Sequence, residues 1–275
     1  MAFENLGGGA LDYYPCRYGK SKLLFRGPKR RLDVPYFAML GGTETYGKYL
    51  ERPFPAMVED ALDHTVVNFG CVNAGIDVFS QDQAILDACK NARVTVVQMT
   101  SAQNMSNRFY AVHPRRNDRF LRASNLLKTI YREVDFTEFN FTRHLLTALW
   151  EVSEDKFTMV ERELREAWIA RMKSLIARIG GNVVLLWVSD HTPCSQEDSD
   201  PSGSDPLFVG KGMIDELRPF VMDVVEVVVT KDEMAAGLDE MVFSDLEEPA
   251  ARELLGGVAH RKVAEALTEV LRPHT

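Results

Sequence analysis

The sequence predicts an α/β fold, a three-layer sandwich around a central, mostly parallel five-stranded sheet. Three observations carry this expectation. Five short, continuous apolar runs recur along the chain without the alternation of a half-exposed strand, and such runs suit strands covered on both faces. Between them lie segments whose apolar residues repeat at three and four, the period of an amphipathic helix. The runs end in small or polar residues, and open parallel sheets bind ligands at the carboxyl ends of their strands.

Composition narrows the class. The chain has 275 residues, 45% of them hydrophobic and 26% charged, which suits a well-packed globular core and excludes disorder along its length. A net charge of -8 argues against non-specific nucleic-acid binding, which needs a basic surface. No apolar run approaches the ~20 residues that span a bilayer, and the amino terminus lacks the basic-then-apolar pattern of a signal peptide. Cys16, Cys71, Cys89 and Cys194 show neither C-x-x-C pairing nor zinc-like spacing, as expected of reduced thiols in the cytosol. A cytoplasmic protein is expected, with no metal, no cofactor, and neither nucleic acid nor membrane as partner.

Taken in order, residues 1–35 are rich in Gly, Tyr and basic side chains and read as a basic N-terminal extension draped over the domain. Over residues 17–31, Arg17, Lys20, Lys22, Arg26, Lys29, Arg30 and Arg31 are opposed only by Asp33 just beyond them. A solvated, charge-balancing surface explains them, and an arm that contacts an anionic substrate or a second subunit of a homo-oligomer is the alternative. Residues 36–275 form a single α/β domain. Strands are expected over 36–40, 65–69, 94–99, 182–188 and 224–229. Helices are expected over 55–62, opened by Pro55, and over 84–90, 120–131, 142–152 and 155–179, the last stopped by Gly180-Gly181. Two more are expected over 212–220 and 259–271. Residues 100–118 read as a long polar loop and 195–205, rich in Ser, Asp, Pro and Gly, as a mobile one. Phe136, Phe139 and Phe141 read as core.

The loop after the first strand attracts the most chemistry. Gly42-Thr43-Glu44-Thr45-Tyr46-Gly47-Lys48 fits G-x-x-x-x-G-K, a spacing in which backbone N–H groups cradle phosphate and Lys48 supplies charge. Tyr49 stands where that motif needs a hydroxyl for Mg²⁺, and Pro53 and Pro55 interrupt the helix it needs.

The same loop, Gly41-Gly42-Thr43-Glu44-Thr45-Tyr46-Gly47, resembles the Gly-Asp-Ser-x-Thr-x-Gly first block of the SGNH/GDSL hydrolase superfamily. The stretch from Pro55 to Leu62 resembles the family's first helix, Val66 to Gly75 the second block, Ala102-Gln103-Asn104 the third, and residues 256–267 the last helix, in that order. The resemblance implies a flavodoxin-like sandwich and acyl transfer. It puts Thr43 in the nucleophile position, Asn73 or Gly75 as second oxyanion donor and Asn104 as third. The family's Asp-x-x-His before the last helix is missing, and Leu254 stands about where the His belongs. His260, at the opening of the last helix, and Asp190-His191, after the fourth strand, are the candidate bases. Arg108, Arg115 and Arg116 form a guanidinium cluster suited to an anionic ligand, or alternatively pair with acids such as Asp118, Asp135 and Glu138. Three functions follow. One is a divergent SGNH-like hydrolase or acyltransferase acting on an ester of an anionic, carbohydrate or other small molecule. The second is a sulfuryl or phosphoryl transferase gripping an anionic donor through residues 42–48. The third is a non-catalytic SGNH-like binding protein.

Overall fold

In the computed structural model, which describes residues 11–193 and 200–275, five parallel strands form the central sheet in the order β2-β1-β3-β6-β7. These are β1 (Phe37–Gly41), β2 (Val66–Gly70), β3 (Thr95–Gln98), β6 (Val183–Ser189) and β7 (Asp223–Val228). A separate antiparallel hairpin joins β4 (Tyr110–His113) to β5 (Arg116–Ala123). The helices are α1 (Thr43–Tyr46), α2 (Phe54–Leu62), α3 (Ile76–Ser80), α4 (Gln83–Asn91), α5 (Asn125–Ile130), α6 (Thr142–Val152), α7 (Glu154–Ile179), α8 (Lys211–Asp215), α9 (Lys231–Ala236), α10 (Glu248–Arg252) and α11 (Gly257–Leu271). No helix among the described residues is long and apolar enough to cross a membrane.

Alternation along the buried strands divides the core into two faces. Ala38, Leu40, Val67, Phe69, Leu185 and Trp187 pack with Val160, Leu164, Trp168 and Met172 of α7. Phe37, Met39, Val66, Val96, Val184 and Leu186 pack with Phe54 and Val58 of α2 and with Val263 and Leu267 of α11. Each fully buried side chain of this size contributes about 1.5–3 kcal/mol. The expected sandwich is present, and its strand order is that of flavodoxin-like sheets, with the topological switch point between β1 and β3. The chain leaving Gly41 therefore enters the crevice where ligands bind in such sheets.

Two expectations change. The helix expected over 120–131 starts only at Asn125, where Ser124 accepts the Leu127 N–H at 3.2 Å and caps it. The residues before it, and part of the expected loop 100–118, are the β4–β5 hairpin, in which Asn117, Phe120 and Ala123 face inward. Phe139 is buried, but Phe141 is 46% exposed beneath the Arg119 guanidinium. The loop expected over 195–205 lies partly outside the described residues.

The extension is built into the core. Cys16 and Phe25 pair across an antiparallel bridge. The rings of Tyr18 and Phe25 meet Phe69 edge-on at 5.1 and 5.3 Å. Arg26 is buried, and its guanidinium donates to the carbonyls of Gly47 at 2.5 Å, Leu50 at 2.6 Å and Glu51 at 2.7 Å. Arg30 pairs with Glu59, while Arg17, Lys20, Lys22 and Lys29 are the solvated charges that the composition suggests. Replacing Arg26 strands three carbonyls behind α1. Arg26→Met is expected to lower unfolding stability by roughly 2–4 kcal/mol in urea titrations, whereas Lys22→Met should change it by less than about 0.5 kcal/mol.

Candidate active site

The site begins where β1 stops. A Cβ on Gly41 would lie 2.1 Å from the Thr45 hydroxyl and 2.5 Å from Gln98 Oε1, so only glycine fits. That Gln98 oxygen, at the end of β3, accepts from Gly42 N–H (3.0 Å), Thr45 N–H (3.2 Å) and the Thr45 hydroxyl (2.6 Å). The chain then makes the single turn α1 and stops at Gly47, φ +72°, whose N–H closes on the Thr43 and Glu44 carbonyls. Lys48 follows this stop and lays its Nζ 4.4 Å from the Tyr49 ring centroid. The phosphate cradle expected of residues 42–48 is therefore not formed. Two of its N–H groups are spent on Gln98, and its lysine lies beyond the helix rather than at its start.

Thr43 opens α1, and its own N–H has no acceptor among the described residues, as at any helix start. Its hydroxyl accepts from Asn73 N–H at 3.0 Å and donates to Asn73 Oδ1 at 3.3 Å. Asn73 holds the left-handed φ of +58°, a conformation that Asn tolerates better than most residues. Its amide nitrogen donates to Asp118 Oδ2 at 3.0 Å, which fixes the orientation of the carboxamide. Gly75, the other candidate donor, is committed: its N–H goes to Asn117 Oδ1 at 3.0 Å. A Cβ there would strike the Asn104 carbonyl oxygen at 1.9 Å, so the second and third loops are in contact. Asn104 Oδ1 accepts from the Thr142 hydroxyl at 2.9 Å, which leaves its amide NH₂ as the unclaimed end.

Neither histidine serves Thr43, whose hydroxyl partners among the described residues both belong to Asn73. His260 lies inside α11 and is 1% exposed. Its Nδ1 accepts the Phe54 N–H at 2.9 Å, so the proton of the neutral ring sits on Nε2. Burial, with Arg26 nearby, pushes its pKa down to about 3. It has no lone pair to offer as a base. Asp190 and His191 do form a pair, Oδ1 to Nδ1 at 2.8 Å, with the Ser189 hydroxyl also 2.8 Å from Nδ1. They follow β6, however, two strand positions from β1 and so roughly 9–10 Å across the sheet. They line a separate cleft of about 330 Å³ with Arg165, Ser204 and Phe208.

Arg108 is also committed, to Glu163 at 2.5 Å. Arg115 and Arg116 are exposed at the hairpin turn, their N–H groups on His113 Nδ1, with no carboxylate paired to either guanidinium among the described residues. A groove of about 850 Å³ runs between α2 and α11, past Met57, Arg261 and Ala264, and none of the Thr43 network lines it.

The full length of the chain, residues 1–275, matches one family model, described as Domain of unknown function (DUF6473). The chain belongs to that family. No curated protein matches the sequence. Among solved structures, the fold is similar to that of the lipase Lip_vut3 from a goat rumen metagenome (15% identity, 86% of this chain and 97% of that one, TM-score 0.45). It is also similar to a lipase/acylhydrolase from Enterococcus faecalis (10%, 87% and 96%, 0.46) and to the native aryl esterase of M. smegmatis (9%, 88% and 100%, 0.40). Likenesses this distant carry no weight for chemistry, which rests on the residues themselves.

Two acids near Thr43 in this DUF6473 chain have raised pKa values: Asp118, which the sequence suggests only as an arginine partner, and Glu44, which it does not single out. Asp118, on β5, has its carboxyl pushed up by burial, against the pull of Arg116, Arg119 and Asn73; its Oδ1 is buried without a partner among the described residues. Glu44, beside Thr43, turns its carboxyl to the Leu255 N–H at 3.3 Å and lies 4.0 Å from His260 Nε2. Burial chiefly, with Asp205 adding repulsion, raises its pKa to about 8. The only sequence signal was an acid amid small and hydroxyl residues. Because the folded pKa lies above the unfolded value near 4.5, Glu44 stabilises the fold fully below that value and loses this contribution as pH rises to about 8. Stability in urea should therefore fall between pH 5 and 8 by on the order of 2–4 kcal/mol from this group, and Glu44→Gln should flatten that fall.

Proposed function

We propose that the chain carries out acyl transfer on an ester, as a hydrolase or acyltransferase, with Thr43 as nucleophile. The observation that carries this reading is a hydroxyl held at the sheet's switch point beside two unclaimed donors, the Thr43 N–H and the Asn104 amide. Attack of Thr43 Oγ1 on an ester carbonyl develops charge on the carbonyl oxygen, and preorganised donors stabilise that charge. Threonine serves as nucleophile in other enzymes. The ordered resemblance to SGNH/GDSL blocks supports the same chemistry, though here the oxyanion donors would be Thr43, Asn104 and, once the hydroxyl moves, Asn73. The two unpaired guanidinium groups of Arg115 and Arg116, on the hairpin that supplies Asp118, favour an anionic substrate, such as an acidic carbohydrate ester.

One observation favours a second reading. The absence of an imidazole at Thr43 suits an SGNH-like protein that binds an ester or sugar without cleaving it. Transfer from a phosphorylated or sulfated donor through residues 42–48 has less support, since Gln98 takes the Gly42 and Thr45 N–H groups and Lys48 lies beyond the turn.

Hydrolysis of p-nitrophenyl acetate separates the first two readings. Thr43→Ala should abolish it and Thr43→Ser preserve it, while Asn104→Ala should lower kcat by about 10²–10³-fold with little change in KM. Activity that survives Thr43→Ala removes the nucleophile. For a carboxylated aryl ester, Arg115→Ala with Arg116→Ala should raise KM by about tenfold, and by less than twofold for the neutral ester.

A further inference from the structure

We propose that Asn73 and Asp118 form the relay that takes and returns the proton of the Thr43 hydroxyl, with the Asn73 carboxamide as its link and the Asp118 carboxylate as its end. This rests on the acyl-transfer reading and fills the place left by the missing imidazole.

The direction of each hydrogen bond in the relay follows from what the groups can do. Thr43 Oγ1 accepts the backbone N–H of Asn73 at 3.0 Å, so its own hydrogen is left for Asn73 Oδ1, 3.3 Å away. An ionised carboxylate only accepts, so the end of the carboxamide that meets Asp118 Oδ2 at 3.0 Å is the NH₂. Hydroxyl, amide oxygen, amide nitrogen and carboxylate therefore stand in series, each donor facing an acceptor. The hairpin that carries Asp118 also holds the loop that carries Asn73. It does so through Asn117, whose N–H donates to the Asn73 carbonyl and whose Oδ1 takes the Gly75 N–H.

The carboxylate at the end of the relay is short of donors. Its Oδ1 is buried without a partner among the described residues, and a desolvated carboxylate in that position favours its neutral form. Burial accordingly raises its pKa, against Arg116 and Arg119 of the same strand. The ionisable groups on the elements packed around β5 are engaged or turned outward. His113 of β4 accepts the Arg115 and Arg116 N–H groups at Nδ1, and Asp77 of α3 is held by Arg171. On α6, Arg143 pairs with Asp205 and His144 packs edge-on against Phe139. Lys128 and Glu138 are exposed.

The cycle balances with water as the second reactant. Thr43 Oγ1 bonds to the ester carbonyl carbon as its proton passes to Asn73 Oδ1 and an Asn73 Nδ2 proton passes to Asp118 Oδ2. Asn73 is then an imidic acid and Asp118 a neutral carboxylic acid. The tetrahedral intermediate collapses, the bond to the leaving oxygen breaks, and the relay runs back. Asn73 gives its oxygen-bound proton to the leaving oxygen, and Asp118 returns one to the Asn73 nitrogen. Water then attacks the acyl-threonine, its proton entering by the same route, and collapse releases the acid as the proton returns to Thr43 Oγ1.

The test uses the full chain, with p-nitrophenyl acetate turnover and labelling of Thr43 by diethyl p-nitrophenyl phosphate, located by mass spectrometry, from pH 4 to 8. Wild-type rates should rise about tenfold per pH unit and level off above the ordinary carboxylate range of about 4. In H₂O/D₂O mixtures their dependence on deuterium fraction should be bowed, because two protons move together. Asp118→Asn keeps an acceptor for the Asn73 amide but supplies no base, and should lose at least about 10²-fold in both assays and lose the slope. Asn73→Asp combined with Asp118→Asn moves the carboxylate onto the hydroxyl and the carboxamide behind it, and Asp tolerates the left-handed backbone at position 73. This double variant should recover about tenfold or more over Asp118→Asn, with a linear deuterium dependence, a rescue that a purely structural contact would not produce. Wild-type reaction at Thr43 with Asp118→Asn matching its rate and profile overturns the relay and leaves the acyl-transfer reading standing. A double variant no faster than Asp118→Asn does the same. A wild-type protein whose Thr43 neither labels nor turns over ester at any pH overturns both.

Discussion

One amide oxygen holds the switch point together. Gln98 Oε1, at the last residue of β3, gathers two backbone N–H groups and one hydroxyl from the turn that leaves β1. The donors it takes are those of Gly42 and Thr45. The Thr43 N–H between them has no acceptor among the described residues. The same fastening obliges Gly41 to be glycine and holds α1 to one turn before Gly47. The turn that presents Thr43 thus depends on a residue from a neighbouring strand.

Around that fastening, the second loop is held from outside the sheet. The β4–β5 hairpin sends Asn117 inward to accept the Gly75 and Val78 N–H groups, and the Asn117 N–H donates to the Asn73 carbonyl. Its neighbour Asp118, on the other side of the pleat, takes the Asn73 amide. Thr142, at the start of α6, fixes Asn104 in the same way. Buried polar groups that satisfy one another in this fashion rigidify a site, while a partly satisfied one is costly. Asp118 Oδ1 is the exception within the network.

Much of this was legible in the sequence, and the failures share a cause. All five central strands were read to within two residues because burial on both faces leaves an unbroken apolar run, and Gly41 to Gly47 was located by its glycines and hydroxyls. The hairpin is not legible because the inward residues of Arg116–Ala123, Asn117, Phe120 and Ala123, recur at steps of three, a spacing that passes for helix. Asp118 consequently shows in the sequence only as an ion-pair partner. His260 looked like a base because a sequence does not reveal which ring nitrogen is engaged. That depends on Phe54, 206 residues away. Arg26 looked solvated among its basic neighbours because burial of a cation depends on carbonyls supplied elsewhere.

The contacts of the site fall into two classes of chain separation. Thr43 meets Asn73 across 30 residues, and Asn104 meets Thr142 across 38. Glu44 meets Leu255 across 211. During synthesis Thr43, Asn73 and Asn104 emerge together in the first half of the chain, whereas the surroundings of the Glu44 carboxyl arrive with nearly the last residues. A chain that has not yet delivered Leu255 and His260 has an ordinary, ionised glutamate at this position, so the carboxyl acquires its altered acidity only when the fold is closed by its final helix.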